Sequence, residues 1–320
     1  MIAGCLDSVL AQRGAFTLEI IVHDDASSDT SVAIVSRDYA AVHLIRSVDN
    51  VGFCVANNSM VAAARGDYVL LLNNDAELLP DALACLLDEA QAQAGPALLS
   101  LPQYDYASGA LIDRGCLLDP FYNPVPNLDP GRREVAMAIG ACLWLPRSLW
   151  HELGGFPEWF GSIGEDLYLC CRARLAGYPV RVPDAAGYRH RVGVSFGGGK
   201  TRDGRLASTF RRRALSERNK TFVLLTTCPA PLLLPLAGLH LLLLLLEGGL
   251  LALLRRSPAY LSVVYLPVFA AIWQQRWPLR QLRHEVMERR EGGAAAFFVP
   301  FIALPYKLRM LLRHGLPDLH

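Results

Sequence analysis

The chain has 320 residues, enough for one large domain or one domain with an appendage. Its 31 basic and 30 acidic side chains leave a formal net charge of +1, so no global field selects nucleic acid or a strongly acidic partner. The eight cysteines show no C-x-x-C pair and no metal-ligand spacing. Cys54, Cys85, Cys142 and Cys171 sit among apolar neighbours and read as small buried thiols of a reducing compartment. Met1–Gln12 has neither a basic start nor a long apolar core, so no signal peptide is expected.

In chain order, Ile2–Gln12 places Cys5, Leu6, Val9 and Leu10 at helical spacing, and Gly14 closes the helix. Leu18–Val22 is a short apolar run of the kind found in buried parallel strands. Asp24-Asp25-Ala26-Ser27-Ser28-Asp29 follows and leads into a helix through Tyr39. Val42–Ile45 is a second strand, and Gly52–Arg65 a helix ending at Gly66. Tyr68–Leu72 is a third strand, followed at once by Asn73-Asn74-Asp75. Pro80 suits the start of the next helix, and Ala97–Leu101 is a fourth strand. This alternation predicts an α/β fold with a Rossmann-like, doubly wound, mostly parallel sheet. Two acidic clusters then fall just past strand C-termini, the edge at which open α/β sheets bind ligands.

Asp24 and Asp25 can accept hydrogen bonds from a ribose or a base N–H; Asp25, Ser27 or Ser28 can equally cap the following helix. Asp75, with Asn73 and Glu77 near it, suits a hard divalent cation that also takes phosphate oxygens, or simply a polar loop. Glu165-Asp166 opens a helix with apolar face Leu167, Cys171 and Leu175, ended by Gly177. In the first turn the helix dipole favours an ionised Asp166, a candidate general base, although first-turn acids also stabilise helices without further role. His190 lies in a glycine-rich segment beyond the last strand, Tyr178–Val182, where it can complete a metal or diphosphate site or be a surface residue. Gly199-Lys200-Thr201 ends like a phosphate-binding P-loop, but Val194 stands where that loop needs glycine. No G-x-G-x-x-G follows a strand, so a nicotinamide enzyme has no support.

The order and spacing of seven segments carry more than any one of them. Leu18–Asp29, Asn50–Asn58, Gly66–Leu78, Gly140–Arg147, Gly154–Phe156, Gly164–Tyr178, and His190 and Ser195 with Glu217-Arg218-Asn219-Lys220 together resemble the family 2 glycosyltransferases of the GT-A fold. The likeness spans roughly residues 2–222 and is nearest to bacterial enzymes that add rhamnose or similar sugars to surface polysaccharides. It implies nucleoside-binding carboxylates at Asp24 and Asp25, and donor-pocket residues at Asn50 and Asn57. It implies a metal–diphosphate ligand at Asp75, the catalytic base at Asp166, a residue near the metal at His190 and an acceptor-side wall at Gly140–Cys142. Asn73 departs from the family's Asp-x-Asp. The implied reaction is an inverting transfer from a UDP- or dTDP-linked sugar to a glycan or lipid-linked acceptor, with Mn²⁺ or Mg²⁺ as cofactor. A catalytically inactive, membrane-bound binding or scaffolding relative is the alternative. Family members begin with a strand ending in a Pro-Thr-Tyr-Asn-like stretch; here Met1–Cys5 already reads as the helix after it, so the expected sheet lacks that strand.

Beyond about Lys220 leucine dominates and arginine is nearly the only charge, which sets an expected catalytic domain of residues 1–221 and a helical region of 222–320. Phe222–Leu254 is long enough to span a bilayer, but Pro229, Pro231 and Pro235 crowd one end and Glu247-Gly248-Gly249 interrupts the other. The expectation is a helix in the membrane interface at the cytoplasmic face, with a single span as the alternative and Arg255-Arg256 as anchor. Tyr260–Trp273 and Ala294–Met310 are further apolar segments among arginines that suit anionic lipid.

Overall fold

The computed structural model describes residues 1–193, 198–202 and 205–319; Ser195 lies outside them. The chain divides into two compact units. The first holds Met1–Cys116, Pro126–Ala173 and Tyr178–Arg191, and the second Leu117–Val125, Arg174–Gly177 and Val192–His320.

The first unit opens with α1 (Ile2–Leu10), which turns Ile2, Cys5 and Leu6 inward. Ile2 and Leu6 meet Val35 of α2 (Ser31–Asp38) in a small core. Val22 of β1 (Ile21–Asp25) and Leu44 of β2 (His43–Ser47) pack against it. The two strands pair in parallel, Asp24 opposite Arg46 and Asp25 opposite Ser47. The expected strand Leu18–Val22 therefore sits three residues later, and the acidic pair ends it rather than following it. The ladder with β2 decides this, since backbone pairing continues past the last apolar residue.

Next come α3 (Phe53–Ala63), β3 (Tyr68–Leu72), β4 (Ala76–Leu78) and α4 (Ala82–Ala92). α4 starts two residues after Pro80, and Gln12 Oε1 accepts the Leu83 N–H at 3.1 Å, satisfying a first-turn donor. Short strands β5 (Leu98–Leu99), β6 (Gln103–Asp105), β7 (Leu111–Asp113), β8 (Cys116–Leu118) and β9 (Pro124–Pro126) follow. Then come β10 (Cys142–Pro146), α5 (Arg147–Leu153), α6 (Glu165–Leu175), β11 (Val180–Arg181) and β12 (Tyr188–His190). The sheets are mixed. One has the order β11-β5-β10-β3, with β10 antiparallel to both neighbours; another has the order β4-β12-β6-β7. All eight cysteines are free, and Cys85 is only half-buried where full burial was expected.

In the second unit β13 (Gly198–Arg202) pairs antiparallel with β14 (Arg205–Ser208), which pairs in parallel with the later β15 (Asp318–Leu319). Helix α7 (Phe210–Thr227) is capped by Thr209, whose side chain accepts the Arg212 N–H at 3.1 Å. It contacts α8 (Ala230–Leu254), a π-helical turn (Tyr260–Tyr265), α9 (Leu266–Gln274) and α10 (Arg276–Glu288). α11 (Ala294–Phe298) and α12 (Tyr306–His314) complete the unit. The expected boundary at 221/222 falls inside α7, because Glu217 and Lys220 of that helix are buried in this unit's own ion pairs. Lys220 Nζ lies 2.7 Å and Lys307 Nζ 2.8 Å from Glu217. Burial alone would raise the Glu217 carboxyl, but Lys220, Lys307 and Arg213 around it hold it well below the usual carboxylate range.

Two expectations for Phe222–Leu254 are corrected. The segment is two helices, parted at Cys228-Pro229, where the residue before proline takes an extended conformation. Glu247-Gly248-Gly249 does not interrupt α8. Glu247 is paired with Arg213 at 2.7 Å and Lys307 at 2.6 Å, so its charge is matched within the unit. α8 is long and apolar enough to cross a membrane, and only 28% of its most apolar window is buried.

Candidate active site

Register brings Asp75 and His190 together. β12 runs antiparallel to β4 with His190 opposite Ala76, and parallel to β6 with Tyr188 opposite Gln103. Asp75 occupies the turn just before β4, so His190 Nε2 stands 3.1 Å from Asp75 Oδ1, and the Arg191 N–H donates to the Asp75 carbonyl at 3.0 Å. On the other side of the ring, Nδ1 is 3.4 Å from Gln103 Oε1, which accepts the Tyr188 hydroxyl at 2.7 Å. The roles of the two ring nitrogens depend on the tautomer: Nε2–H donates to the Asp75 carboxylate where it carries the proton, and a cation held by Asp75 and His190 requires the proton on Nδ1, toward Gln103. Among the described residues no cluster of three or more His, Cys, Asp or Glu gathers for a metal. Asp75 and His190 are the residues here that could hold a cation, one that takes the rest of its shell from water and phosphate oxygens.

Buried groups back the pair. Burial keeps the Tyr188 phenol protonated, as do Asp113, Cys142, Cys116 and Asp166 near it, so it remains a donor to Gln103. Asp113 lies opposite Gln103 in the β6–β7 register; burial pushes its carboxyl up to about 7, against the opposing pulls of the Gly115 N–H and His190.

Asp166 sits in the first turn of α6. Its Oδ2 accepts the Gly140 N–H at 2.9 Å and its Oδ1 the Leu167 N–H at 2.7 Å. A side chain on Gly140 would start only 3.3 Å from Asp166 Cβ, so glycine permits this approach. The neighbouring Ala141 carbonyl accepts the Asn73 N–H at 3.0 Å. The loop that carries Asp75 and the carboxylate of Asp166 are thus tied through Gly140-Ala141. Glu165 precedes Asp166 in the same turn. It is 6% exposed, its Oε2 has no hydrogen-bond partner, and burial, then the Asp166 charge, push it up to about 8.

The third group lies at the end of β1. Asp25 accepts the N–H groups of Val51 at 2.5 Å and Gly52 at 3.0 Å, and Asn50 Nδ2 donates to the Asp25 carbonyl at 3.3 Å. Asp25 and Asn50 are thereby brought together, with the carboxylate spent on shaping the loop before α3. Asp24 is buried, and its Oδ1 accepts the Ser27 N–H at 3.3 Å. Neither Asp25, Ser27 nor Ser28 caps α2; its N-cap is Thr30, and Asp29 accepts the Ser31 N–H at 2.8 Å. Asn57 is turned back into its own helix, donating to the Phe53 carbonyl at 2.8 Å. Its neighbour Asn58, which sequence reasoning passed over, clamps both backbone groups of Phe156 at 2.9 and 3.0 Å. Gly155, at φ +63°, leaves room for that clamp, since a Cβ there would lie 2.8 Å from Asn58 Oδ1. The juxtaposed Gly154-Gly155-Phe156 was the available signal. Gln103 was missed too, and nothing in Leu101-Pro102-Gln103-Tyr104 marks it apart from its register.

A mixed sheet with acids at the ends of β1 and β3 and a helix-start carboxylate is the fold of the GT-A glycosyltransferases. The chain superposes on GalNAc-T7 with UDP, GalNAc and Mn2+ at a TM-score of 0.54 and 14% identity, covering 69% of this chain and 44% of that one. It superposes on the mannosyltransferase PcManGT from Pyrobaculum calidifontis, in complex with GDP-Man and Mn2+, at 0.51 and 18% identity, covering 90% and 81%. Residues 1–153 match the model of glycosyl transferase family 2. Among curated relatives, the chain is 27% identical over 206 residues to the N-acetylglucosaminyl-diphospho-decaprenol L-rhamnosyltransferase of Mycobacterium tuberculosis, covering 55% of this chain and 67% of the relative.

Proposed function

We propose that the chain is an inverting glycosyltransferase of cell-envelope glycan synthesis. It moves a sugar from a UDP- or dTDP-linked donor to a lipid-linked or polysaccharide acceptor at the cytoplasmic face of a membrane, with Mn²⁺ or Mg²⁺. The observation that carries this reading is the Asp75–His190 pair, tied through Asn73, Ala141 and Gly140 to the helix-start carboxylate of Asp166. The activity of the mycobacterial relative, a rhamnosyltransferase with a lipid-diphosphate acceptor, supports the acceptor class.

In this reading Asp166 takes the proton from the acceptor hydroxyl as that oxygen attacks the anomeric carbon, and the Gly140 N–H fixes the direction of the carboxylate. Asp75 and His190 hold the cation, while Asp24, Asp25, Asn50 and Asn57 form the nucleoside side of the donor pocket, Asp25 and Asn50 by setting its loop. The bound cation supplies charge neutralisation for the departing nucleoside diphosphate. The first unit does the chemistry, and the leucine- and arginine-rich second unit meets the membrane.

The test is a panel of nucleotide-sugar donors offered with a polyprenyl-diphosphate-linked sugar, with release of nucleoside diphosphate measured with and without Mn²⁺. Turnover of one donor only in the presence of metal is the expected result. Tight donor binding with no turnover of any donor would instead favour a non-catalytic binding protein.

A further inference from the structure

The second unit exposes two large aromatic side chains next to each other. Trp273 is 70% and Trp277 63% exposed, whereas Trp150 is buried. Both indoles carry arginines. The Arg276 guanidinium lies 4.6 Å from the Trp273 ring and 5.9 Å from that of Trp277, and Arg280 lies 5.1 Å from the Trp277 ring. Among the described residues neither arginine forms an ion pair with a carboxylate; Arg276 donates to the Trp273 carbonyl at 2.8 Å. The patch therefore presents apolar area and uncompensated positive charge at the same place.

The opposite face of α10 is fixed. Leu279 and Val286 are buried, and Arg283 donates to the carbonyls of Leu225 at 3.1 Å and Cys228 at 2.8 Å, closing the C-terminus of α7. At about 100° per residue, Trp277 stands about 160° around the helix from Leu279, so docking inward and exposing the tryptophan follow from one orientation. Packing against α7 leaves no rotation that would hide it.

Indoles favour the boundary between acyl chains and headgroups, where the ring is dry and the N–H is wet. Guanidinium groups bind phosphate through paired N–H donors and, being weakly hydrated, tolerate a low-dielectric surface better than ammonium groups do. A phospholipid bilayer offers hydrocarbon beneath a layer of phosphates, and an anionic one also matches the net positive charge of Arg276 and Arg280. α8 provides a second apolar region in the same unit, with Leu234 and Leu253 among its most exposed side chains.

We propose that Trp273, Arg276, Trp277 and Arg280 form the seat by which the second unit docks on an anionic bilayer, indoles at the acyl boundary and guanidiniums on lipid phosphates. The proposal rests on the membrane reading above and deepens it by naming the seat and the charge of the lipid.

The experiment uses the full chain and vesicles of phosphatidylcholine alone or mixed with phosphatidylglycerol, read by co-sedimentation. Wild type should favour the anionic vesicles. Removing both arginine charges (Arg276→Gln with Arg280→Gln) should weaken that binding by on the order of tenfold or more, given what each near-surface cation contributes. The pair Trp273→Phe and Trp277→Phe keeps the packing but removes the fluorophores, so quenching of tryptophan emission by brominated lipid should be strong in wild type and lost in this variant. Folding of each variant is checked by circular dichroism. If wild type binds neither vesicle, the membrane reading fails and the seat with it. If wild type binds and is quenched while both variants bind and are quenched equally, the membrane reading stands and this seat is overturned. A wild-type dimer that the tryptophan or arginine changes dissolve, with no vesicle binding, would assign the patch to a second copy of the chain and overturn the proposal.

Discussion

His190 Nε2 faces Asp75 Oδ1 across 3.1 Å, and Gln103 Oε1 stands 3.4 Å from the other ring nitrogen. If these two side chains hold the cation, Gln103 is a positioning residue that keeps the Nε2 lone pair free. Asp75→Ala should abolish Mn²⁺ binding and metal-dependent donor binding. Gln103→Leu should lower Mn²⁺ affinity by about 10–100-fold, the usual cost of losing an outer partner of a ligating histidine. Gln103→Glu keeps an acceptor toward Nδ1 and should recover most of it. Titration followed by electron paramagnetic resonance reads the affinity directly. An unchanged affinity in Gln103→Leu would remove the positioning role, and an unchanged affinity in Asp75→Ala would remove the metal site.

Asp166 accepts the Gly140 and Leu167 N–H groups while Glu165 Oε2 is buried without a partner, so their substitutions should separate. Asp166→Asn keeps the shape at the start of α6 but cannot take a proton. Transfer should fall by about 10²–10⁴-fold with donor affinity near wild type, as expected for loss of a positioned base. Glu165 is buried with an unpartnered oxygen, so Glu165→Gln should cost far less activity. Full activity in Asp166→Asn with loss in Glu165→Gln would reverse the roles. Full activity in both would leave this helix start with a structural role only.

Legibility followed the apolar pattern and stopped where pairing partners decide. β3 was read at its observed bounds because Tyr68–Leu72 is an apolar run closed by polar residues at both ends. β1 was placed three residues early because its ladder runs on through His23, Asp24 and Asp25, which no apolar count marks as strand. β10 was noticed only as a motif, since its antiparallel place between β3 and β5 depends on strands distant in sequence. The Asp75–His190 contact joins residues 115 positions apart and was reachable only through the family resemblance. Gln103 was out of reach altogether, because its place is set by the β6–β12 register. The run Glu247-Gly248-Gly249 reads as a helix break on propensity, yet α8 continues through it, with the Glu247 charge matched by Arg213 and Lys307 and with Leu261 and Tyr265 close against Gly248.

The buried Glu165 makes stability depend on pH in a definite direction. Its ordinary value of 4.5 is raised to about 8 in the folded chain, by burial first and by Asp166 second. Below about 4.5 the carboxyl is protonated in both states and contributes no difference. As pH rises toward about 8 the unfolded chain releases this proton and the folded chain retains it, so the folded state loses relative stability through that window. Asp113, raised from 3.8 to about 7, acts in the same sense. Melting temperature should therefore decline between these limits, and Glu165→Gln should flatten the decline. Equal slopes for wild type and variant would show that Glu165 does not hold its proton in the folded chain.

Gly248 and Gly249 are adjacent in α8, and only at Gly249 should alanine stabilise. A Cβ on Gly249 meets nothing within 4 Å. Gly249→Ala therefore gains only the reduced backbone freedom of the unfolded chain and should stabilise by about 0.5–1 kcal/mol. A Cβ on Gly248 would lie 2.8 Å from both Leu261 Cδ1 and Tyr265 Cδ2, below any normal contact. Leu261 has a flexible end, but Tyr265 is fully buried and its hydroxyl accepts from Arg213 at 3.5 Å, so the ring has little room to yield. Overpacking of this kind costs about 1–3 kcal/mol, which outweighs the propensity gain of about 1 kcal/mol over most of that range. Gly248→Ala should be neutral to destabilising by about 2 kcal/mol, and Gly248→Val, bulkier and β-branched, should be worse. Thermal melts of the three variants beside wild type decide it. Stabilisation by Gly248→Ala equal to that of Gly249→Ala would mean that α8 and the π-helical turn do not approach as closely as the observed contact requires.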